Sequence, residues 1–238
     1  MNFREHFSRR NLPHWFVPGA AVYVTYRIVG TIPIPVLNAM REKWERRLRQ
    51  PPADGVSQSE HRMNCHKGLF AEFDRHLDVG SDKNWLARPL VASMLRENLL
   101  HHDGTKYHLH AYCIMSNHVH ALLTPVVELG SPIGLADEST VIGERADSLS
   151  PLSAIMHSLK SYTANRANEL LGLSGQFWQH ESYDHWVRDL AELERIVSYI
   201  IGNPVTAGLV GKPIEWYWSS AHERFLRDGD ESGWLGAA

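Results

Sequence analysis

Apolar residues change their spacing several times along the chain, and each change marks a structural element. From Ala20 to Val29, β-branched and aromatic residues run together and stop at Gly30, which predicts a strand. Beyond Pro33 and Pro35, the positions Val36, Leu37, Met40, Trp44 and Leu48 recur at helical spacing until Pro51-Pro52-Ala53-Asp54-Gly55 breaks the pattern. Between Val56 and Asp82 the contrast is weak, and only a short helix around Leu69 to Leu77 is predicted. A clearer helix opens at Pro89, carries Leu90, Met94, Leu95 and Leu99, and ends by the Asp103-Gly104 turn.

Residues 107–124 read as a β-hairpin turning at Ser116-Asn117. Residues 125–150 are rich in Gly, Pro, Ser and Asp without periodicity and read as a long mobile loop. Ser150 and Pro151 supply an N-cap and a first helical residue, so a helix is predicted from there to Leu171, with Gly172 able to close it. Phe177 to Val187 reads as extended chain. Asp189 then opens an amphipathic helix with Leu190, Leu193, Ile196, Val197, Ile200 and Ile201 on one face, and Asn203-Pro204 is expected to stop it. Strands with intervening helices and one tight hairpin predict an α+β fold with a mainly antiparallel sheet. One domain over residues 1–238 is expected, with a C-terminal extension over 177–238.

Composition narrows the class of protein. A hydrophobic share of 43% and a charged share of 21% are those of a soluble globular chain. The opening residues hold no apolar run suited to a signal peptide, and no later run reaches the roughly 18 apolar residues of a membrane helix. Cys65 and Cys113 are too few for a disulfide framework, so a reducing, cytoplasmic location is expected, with no membrane partner. The net charge of −3 hides an uneven distribution. Residues 1–50 carry nine Lys or Arg against three Asp or Glu, and residues 181–238 carry five against ten. The basic segment can track phosphates on one face or can be an ordinary solvated helix surface.

The candidate chemistry lies in the hairpin. His118 and His120 are two apart on a strand, so both imidazoles point to one face while Val119, Ala121 and Leu123 point to the other. Such a pair can hold a divalent metal with positions open for substrate, although an HxH match alone also arises by chance among 15 histidines. A second pair, His108 and His110, competes with it. If Ser116 and Asn117 are the central turn residues, His118 and His120 share a face with Met115 and Cys113. His108 and His110 then fall on the opposite face, so the pairs cannot form one site; a one-residue slip would reverse this. Tyr162 projects to the edge of the apolar stripe Leu152, Ile155, Met156, Leu159, Thr163, Ala167 and Leu170. That position suits an amphipathic tyrosine at a core margin and equally a nucleophile on a rigid helix.

The run Met115-Ser116-Asn117-His118-Val119-His120-Ala121-Leu122-Leu123 resembles the hairpin motif of the single-tyrosine HUH transposases. The rest of the chain is similar to their relatives associated with repetitive extragenic palindromes, the REP-associated tyrosine transposases. The supporting stretches include Ser158 to Ala164, Phe177-Trp178-Gln179, Ser182 to His185 and Val187-Arg188-Asp189. Tyr199-Ile200, Asn203-Pro204-Val205, Ala207 to Val210 and Trp218-Ser219-Ser220 continue the series. The resemblance implies a ferredoxin-like HUH fold acting on single-stranded or hairpin DNA. It also implies that the two histidines hold Mg²⁺ or Mn²⁺, Mn²⁺ suiting imidazole better. Tyr162 is then the expected nucleophile, forming a 5′-phosphotyrosine. The third metal ligand is expected about four residues after the tyrosine, where Arg166 stands and cannot ligate a cation; Asn165 and Glu169 are the candidates instead.

Expected DNA contacts are Arg9, Arg10, Arg41, Lys43 and Lys160 to phosphates, with Trp178 and Tyr183 stacking on bases. The oligomer is expected to be a monomer or homodimer. Two other functions remain open: a DNA-hairpin-binding protein that has lost turnover, and a two-histidine metallohydrolase of small phosphate esters.

Overall fold

The computed structural model describes residues 6–9, 13–17, 19–78, 82–126 and 150–228. An N-terminal hairpin of β1 (His6–Arg9) and β2 (Pro13–Phe16) precedes the main sheet. β3 (Val22–Arg27) leads into α1 (Ile34–Arg49) and α2 (Gln58–Asp78), and α3 (Pro89–His101) follows. The hairpin of β4 (Tyr107–Ile114) and β5 (His118–Pro125) comes next, then α4 (Pro151–Leu171) and β6 (Tyr183–Trp186). α5 (Leu190–Thr206) and α6 (Ser220–Asp228) complete the described chain. Most of the loop expected over 125–150 lies outside the described residues, as do Arg10 and residues 229–238.

The sheet runs β4-β5-β3-β6, all antiparallel. Counting its four strands in chain order, the spatial order is second, third, first, fourth, with helices after the first and third: a ferredoxin-like arrangement. Because side chains alternate across each strand, the sheet has two distinct interiors. On one, Val22, Val24, Tyr26, Val119, Ala121 and Leu123 meet the stripe Leu152, Ile155, Met156, Leu159 and Ala167 of α4 and Leu95 and Leu99 of α3. On the other, Tyr23, Cys113, Met115, Leu122 and Tyr183 meet Val197 and Ile200 of α5, with Phe70 of α2 alongside.

The helix ends follow their sequence signals. Ser150 Oγ accepts from Ser153 N–H at 3.1 Å, and Asp189 Oδ1 accepts from Glu192 N–H at 2.7 Å. Gly172 closes α4 at φ 64°, where a side chain would be strained. Two expectations need correction. α2 spans 21 residues rather than a short segment. Its buried positions Cys65, Leu69, Phe73 and Leu77 recur every four residues and pack on Met40 and Trp44 of α1. The contrast is weak because much of the rest of α2 faces solvent. α5 also does not stop at Asn203-Pro204; the proline sits inside its last turn, where one lost N–H is tolerated, and the helix continues to Thr206.

The hairpin register fulfils the face assignment. Cys113 pairs with His120 and Ile114 with Val119, and Met115 N–H donates to His118 O at 2.9 Å. A β-bulge between Leu109 and Ala111 then shifts the pairing by one, so that Leu109 opposes Leu123 and His108 opposes Thr124. The expected placing of His108 and His110 beside Val119 and Leu123 therefore fails. Leu109 takes the inward position, and His110 Nε2 bonds Thr124 Oγ1 at 2.8 Å.

Candidate metal centre

His118 and His120 are fully buried, with their Nε2 atoms 2.9 Å apart. Asp74, from the last turns of α2, brings Oδ1 to 3.5 Å from His120 Nε2. Asn203, from α5, brings Nδ2 to 3.2 Å from the same nitrogen. Two strand residues and two helix residues thus converge on one point. Asp74, His118 and His120 together form a group able to hold a metal ion, their ligand atoms all lying within 4.8 Å of one another.

The surroundings fix the protons. Asn117 Nδ2 donates to the Leu77 carbonyl at 3.1 Å, which turns its Oδ1 toward His118 Nδ1 at 2.6 Å. An amide oxygen only accepts, so Nδ1 of His118 carries the hydrogen and Nε2 is left with a lone pair. His120 Nδ1 lies 2.7 Å from the Tyr23 hydroxyl and 2.8 Å from Thr25 Oγ1, partners able to accept its hydrogen and free Nε2 in the same way. Burial pushes His118 down to about 3 and, with His118 beside it, holds His120 well below the ordinary 6.5. Both are neutral at physiological pH, the form that binds metals.

The donor set fits a hard or borderline divalent cation. Adjacent ligands of an octahedral ion at about 2.1 Å stand about 3.0 Å apart, close to the 2.9 Å between the two Nε2 atoms. Asn203 Oδ1 is buried without a hydrogen-bond partner, and a half-turn of its amide presents that oxygen to the same point. Two imidazoles, a carboxylate and an amide oxygen match Mn²⁺ more closely than Mg²⁺.

Tyr199 stands on α5 one turn before Asn203. Its ring lies 5.8 Å from that of His120 and 6.2 Å from that of Tyr23, and it is 37% exposed. A side chain at this margin touches the histidine layer and solvent together.

The structure does not bring Tyr162, Asn165 or Glu169 to the histidines. α4 packs on the face of Val119 and Ala121, opposite the imidazoles, and Tyr162 points outward at 56% exposure. Arg166 Nη1 donates to Glu169 Oε2 at 2.5 Å on the exposed side of that helix. The absence of a ligand at Arg166 therefore has no bearing on the site. Asp74, Tyr199 and Asn203 are the residues that sequence reasoning missed. The spacing of Tyr199 and Asn203, four apart on an amphipathic helix, was the available signal. Asp74 had none, because the length of α2 was not legible.

The expected DNA contacts divide similarly. Trp178 is core: its indole N–H donates to Thr163 Oγ1 at 2.9 Å and its ring packs on Tyr26. Tyr183 is also buried, stacked on Phe70 at 4.4 Å. Neither can stack on a base without unpacking the core. Lys160 Nζ donates to the carbonyls of Gln179 and His180 at 2.6 and 2.7 Å, and burial lowers it to about 8. Lys43 pairs with Glu72 at 2.7 Å and Arg41 with Glu45 at 3.7 Å. The side chains of Arg9 and Arg10 lie outside the described residues.

No family model and no curated protein matches the chain. Among solved structures it is similar to a REP-associated tyrosine transposase bound to a REP hairpin, at a TM-score of 0.50 and 13% identity, covering all of this chain and 92% of that one. Among the described residues no helix is long and apolar enough to cross a membrane. With the antiparallel sheet, the helix placement and the full-length superposition in agreement, the chain has the fold of a REP-associated tyrosine transposase.

Proposed function

We propose that this chain is a divalent-metal-dependent endonuclease and strand transferase of single-stranded DNA beside a hairpin, with Tyr199 as its nucleophile. The observation that carries the reading is the placement of Tyr199 and Asn203, one helical turn apart, against His120. His118, His120, Asp74 and Asn203 would hold Mn²⁺ or Mg²⁺. A bound cation there supplies Lewis-acid polarisation of a phosphodiester.

The residues of the chain divide the remaining work. Burial keeps both imidazoles neutral, and Asn117, Tyr23 and Thr25 orient them. Tyr199 Oη attacks the scissile phosphorus, and the bond from phosphorus to the 3′-oxygen breaks. The phenol gives up one proton and the departing 3′-hydroxyl takes one up, so the products are a 5′-phosphotyrosine and a free 3′-hydroxyl. The ester keeps the phosphodiester's energy, and attack by a 3′-hydroxyl reverses the step and joins strands.

The test is a hairpin oligonucleotide with single-stranded flanks, incubated with Mn²⁺ and analysed after denaturation for a protein–DNA adduct. Wild type and Tyr162→Phe should form it, and Tyr199→Phe should not. An adduct retained by Tyr199→Phe and lost in Tyr162→Phe would return the role to Tyr162. Hydrolysis of small phosphate esters untouched by Tyr199→Phe would point to a metallohydrolase instead.

A further inference from the structure

Beside the metal-ligand group lies a cavity of about 220 Å³ between β3 and the α1–α2 pair. It shares two elements with the candidate metal centre. Arg27 on its floor is the cross-strand partner of His118, and Phe73 on its wall directly precedes Asp74. Leu37, Met40 and Leu69 complete an apolar slot, and Glu181 stands at its lining. Arg27 is 2% exposed, an unusual position for a guanidinium. One contact to it is a bond from Nη1 to Thr31 Oγ1 at 3.0 Å, and its guanidinium carbon lies 5.5 Å from the centre of the Phe73 ring. Glu181 acts on Arg27 as an opposite charge, so a buried cation and a carboxylate line the same slot.

We infer that this cavity receives one unpaired guanine base next to the scissile phosphate and so sets where the strand is cut. This rests on the proposed DNA-cleaving function. The volume is below the roughly 300–1,000 Å³ of pockets that enclose larger ligands, which suits a single base and excludes a base pair. Apolar and aromatic walls accept the faces of a base, as aromatic side chains do in single-strand binding. The polar groups choose among bases. Guanine turns two acceptors, O6 and N7, toward a guanidinium, and its N1–H and N2–H groups can donate to a carboxylate such as Glu181. Adenine and cytosine place an amino donor where guanine has O6, so they would set donor against donor at Arg27. Burial lowers Arg27 to about 10, still charged at neutral pH.

The experiment measures Mn²⁺-dependent cleavage of a set of hairpin oligonucleotides in which each flanking single-stranded position is varied through the four bases and an abasic site. Wild type should cut at least about tenfold faster with guanine at one position near the cut. Arg27→Lys should flatten that preference while still cutting, and Leu37→Trp, which fills the slot from its outer wall, should do the same. Should Arg27→Lys fail to fold by thermal melting, Leu37→Trp carries the test alone. Cleavage indifferent to every flanking base, or an unchanged preference in Leu37→Trp, overturns the inference and leaves the nuclease reading standing. No adduct and no cleavage with any oligonucleotide by the wild type overturns that reading itself. Competition by free dGMP separates the remaining source of the same chemistry: tight dGMP binding together with base-indifferent cleavage would assign the slot to a free nucleotide and overturn the strand-borne assignment.

Discussion

The two faces of the sheet are built from the same strands and covered by helices of comparable length, yet they obey different rules. On the α4 side, Val119, Ala121 and Leu123 meet an unbroken apolar stripe, and burial itself is the stabilising effect. On the α5 side, His118 and His120 are just as buried, yet their stability depends on partners: Asn117, Tyr23, Thr25, Asp74 and Asn203. A tyrosine stands on each covering helix. Tyr162 sits on the dry side and points away into solvent, whereas Tyr199 sits against the polar layer. A helix-edge position is common to both tyrosines; the face of the sheet beneath them is what differs.

Substitutions on the two faces should therefore fail in different ways. The largest expected loss of stability is on the dry side. Leu159→Ala removes a fully buried side chain and should cost about 2–5 kcal/mol in urea unfolding, with Mn²⁺ binding unchanged. If Mn²⁺ affinity fell with it, the two faces would be coupled and the distinction would collapse. On the polar side, Asn117→Ala should weaken Mn²⁺ binding about 10–100-fold by calorimetric titration, because His118 loses the group that fixes its tautomer. An unchanged affinity would show that the tautomer is set by something else.

Acid should strike the polar side, with His66, His102, His110 and His185 contributing in the same direction because burial lowers each of them as well. Folded, His118 titrates at about 3 and His120 well below 6.5; unfolded, both return to about 6.5. The unfolded chain therefore binds more protons in that window, and metal-free stability should fall as pH drops below about 6.5, by about 1.4 kcal/mol per unit for each histidine. Urea midpoints at pH 7, 6 and 5 measure it, and His118→Gln should have the shallower profile. A flat wild-type profile would mean that the imidazoles are solvated. The smallest effect is expected far from both interiors: Lys43→Ala, which breaks the exposed pair with Glu72, should change stability by less than about 1 kcal/mol.

The sequence made some of this legible and hid the rest for identifiable reasons. Alternation in β5 and a two-residue turn were enough to place His118 and His120 on the face of Cys113 and Met115. Ser150, Gly172 and Asp189 announced their helix ends through chemistry local to each residue. The bulge at His110 was hidden, because a bulge answers to tertiary packing and leaves no mark in the residue pattern. Asn203-Pro204 carries a helix-stop signal, which masks Tyr199 and Asn203 as a one-turn pair. Asp74 could be found only by knowing that α2 runs on past it and beside β5. The resemblance was carried onto Tyr162 of α4, and only the sheet's two faces set Tyr199 apart from it.

Asn117 ties two things together that are rarely tied by one side chain. Its amide holds the carbonyl of Leu77 at the end of α2 with one arm and the imidazole of His118 with the other, while Asp74 sits one turn earlier on the same helix. The final turn of α2 is thus a latch fastened to the imidazole layer at two points. Occupation of that layer would tighten the latch, and the amide protons of the last turn of α2 would exchange more slowly with heavy water. The state of a buried cluster would then be readable from the backbone of a helix end.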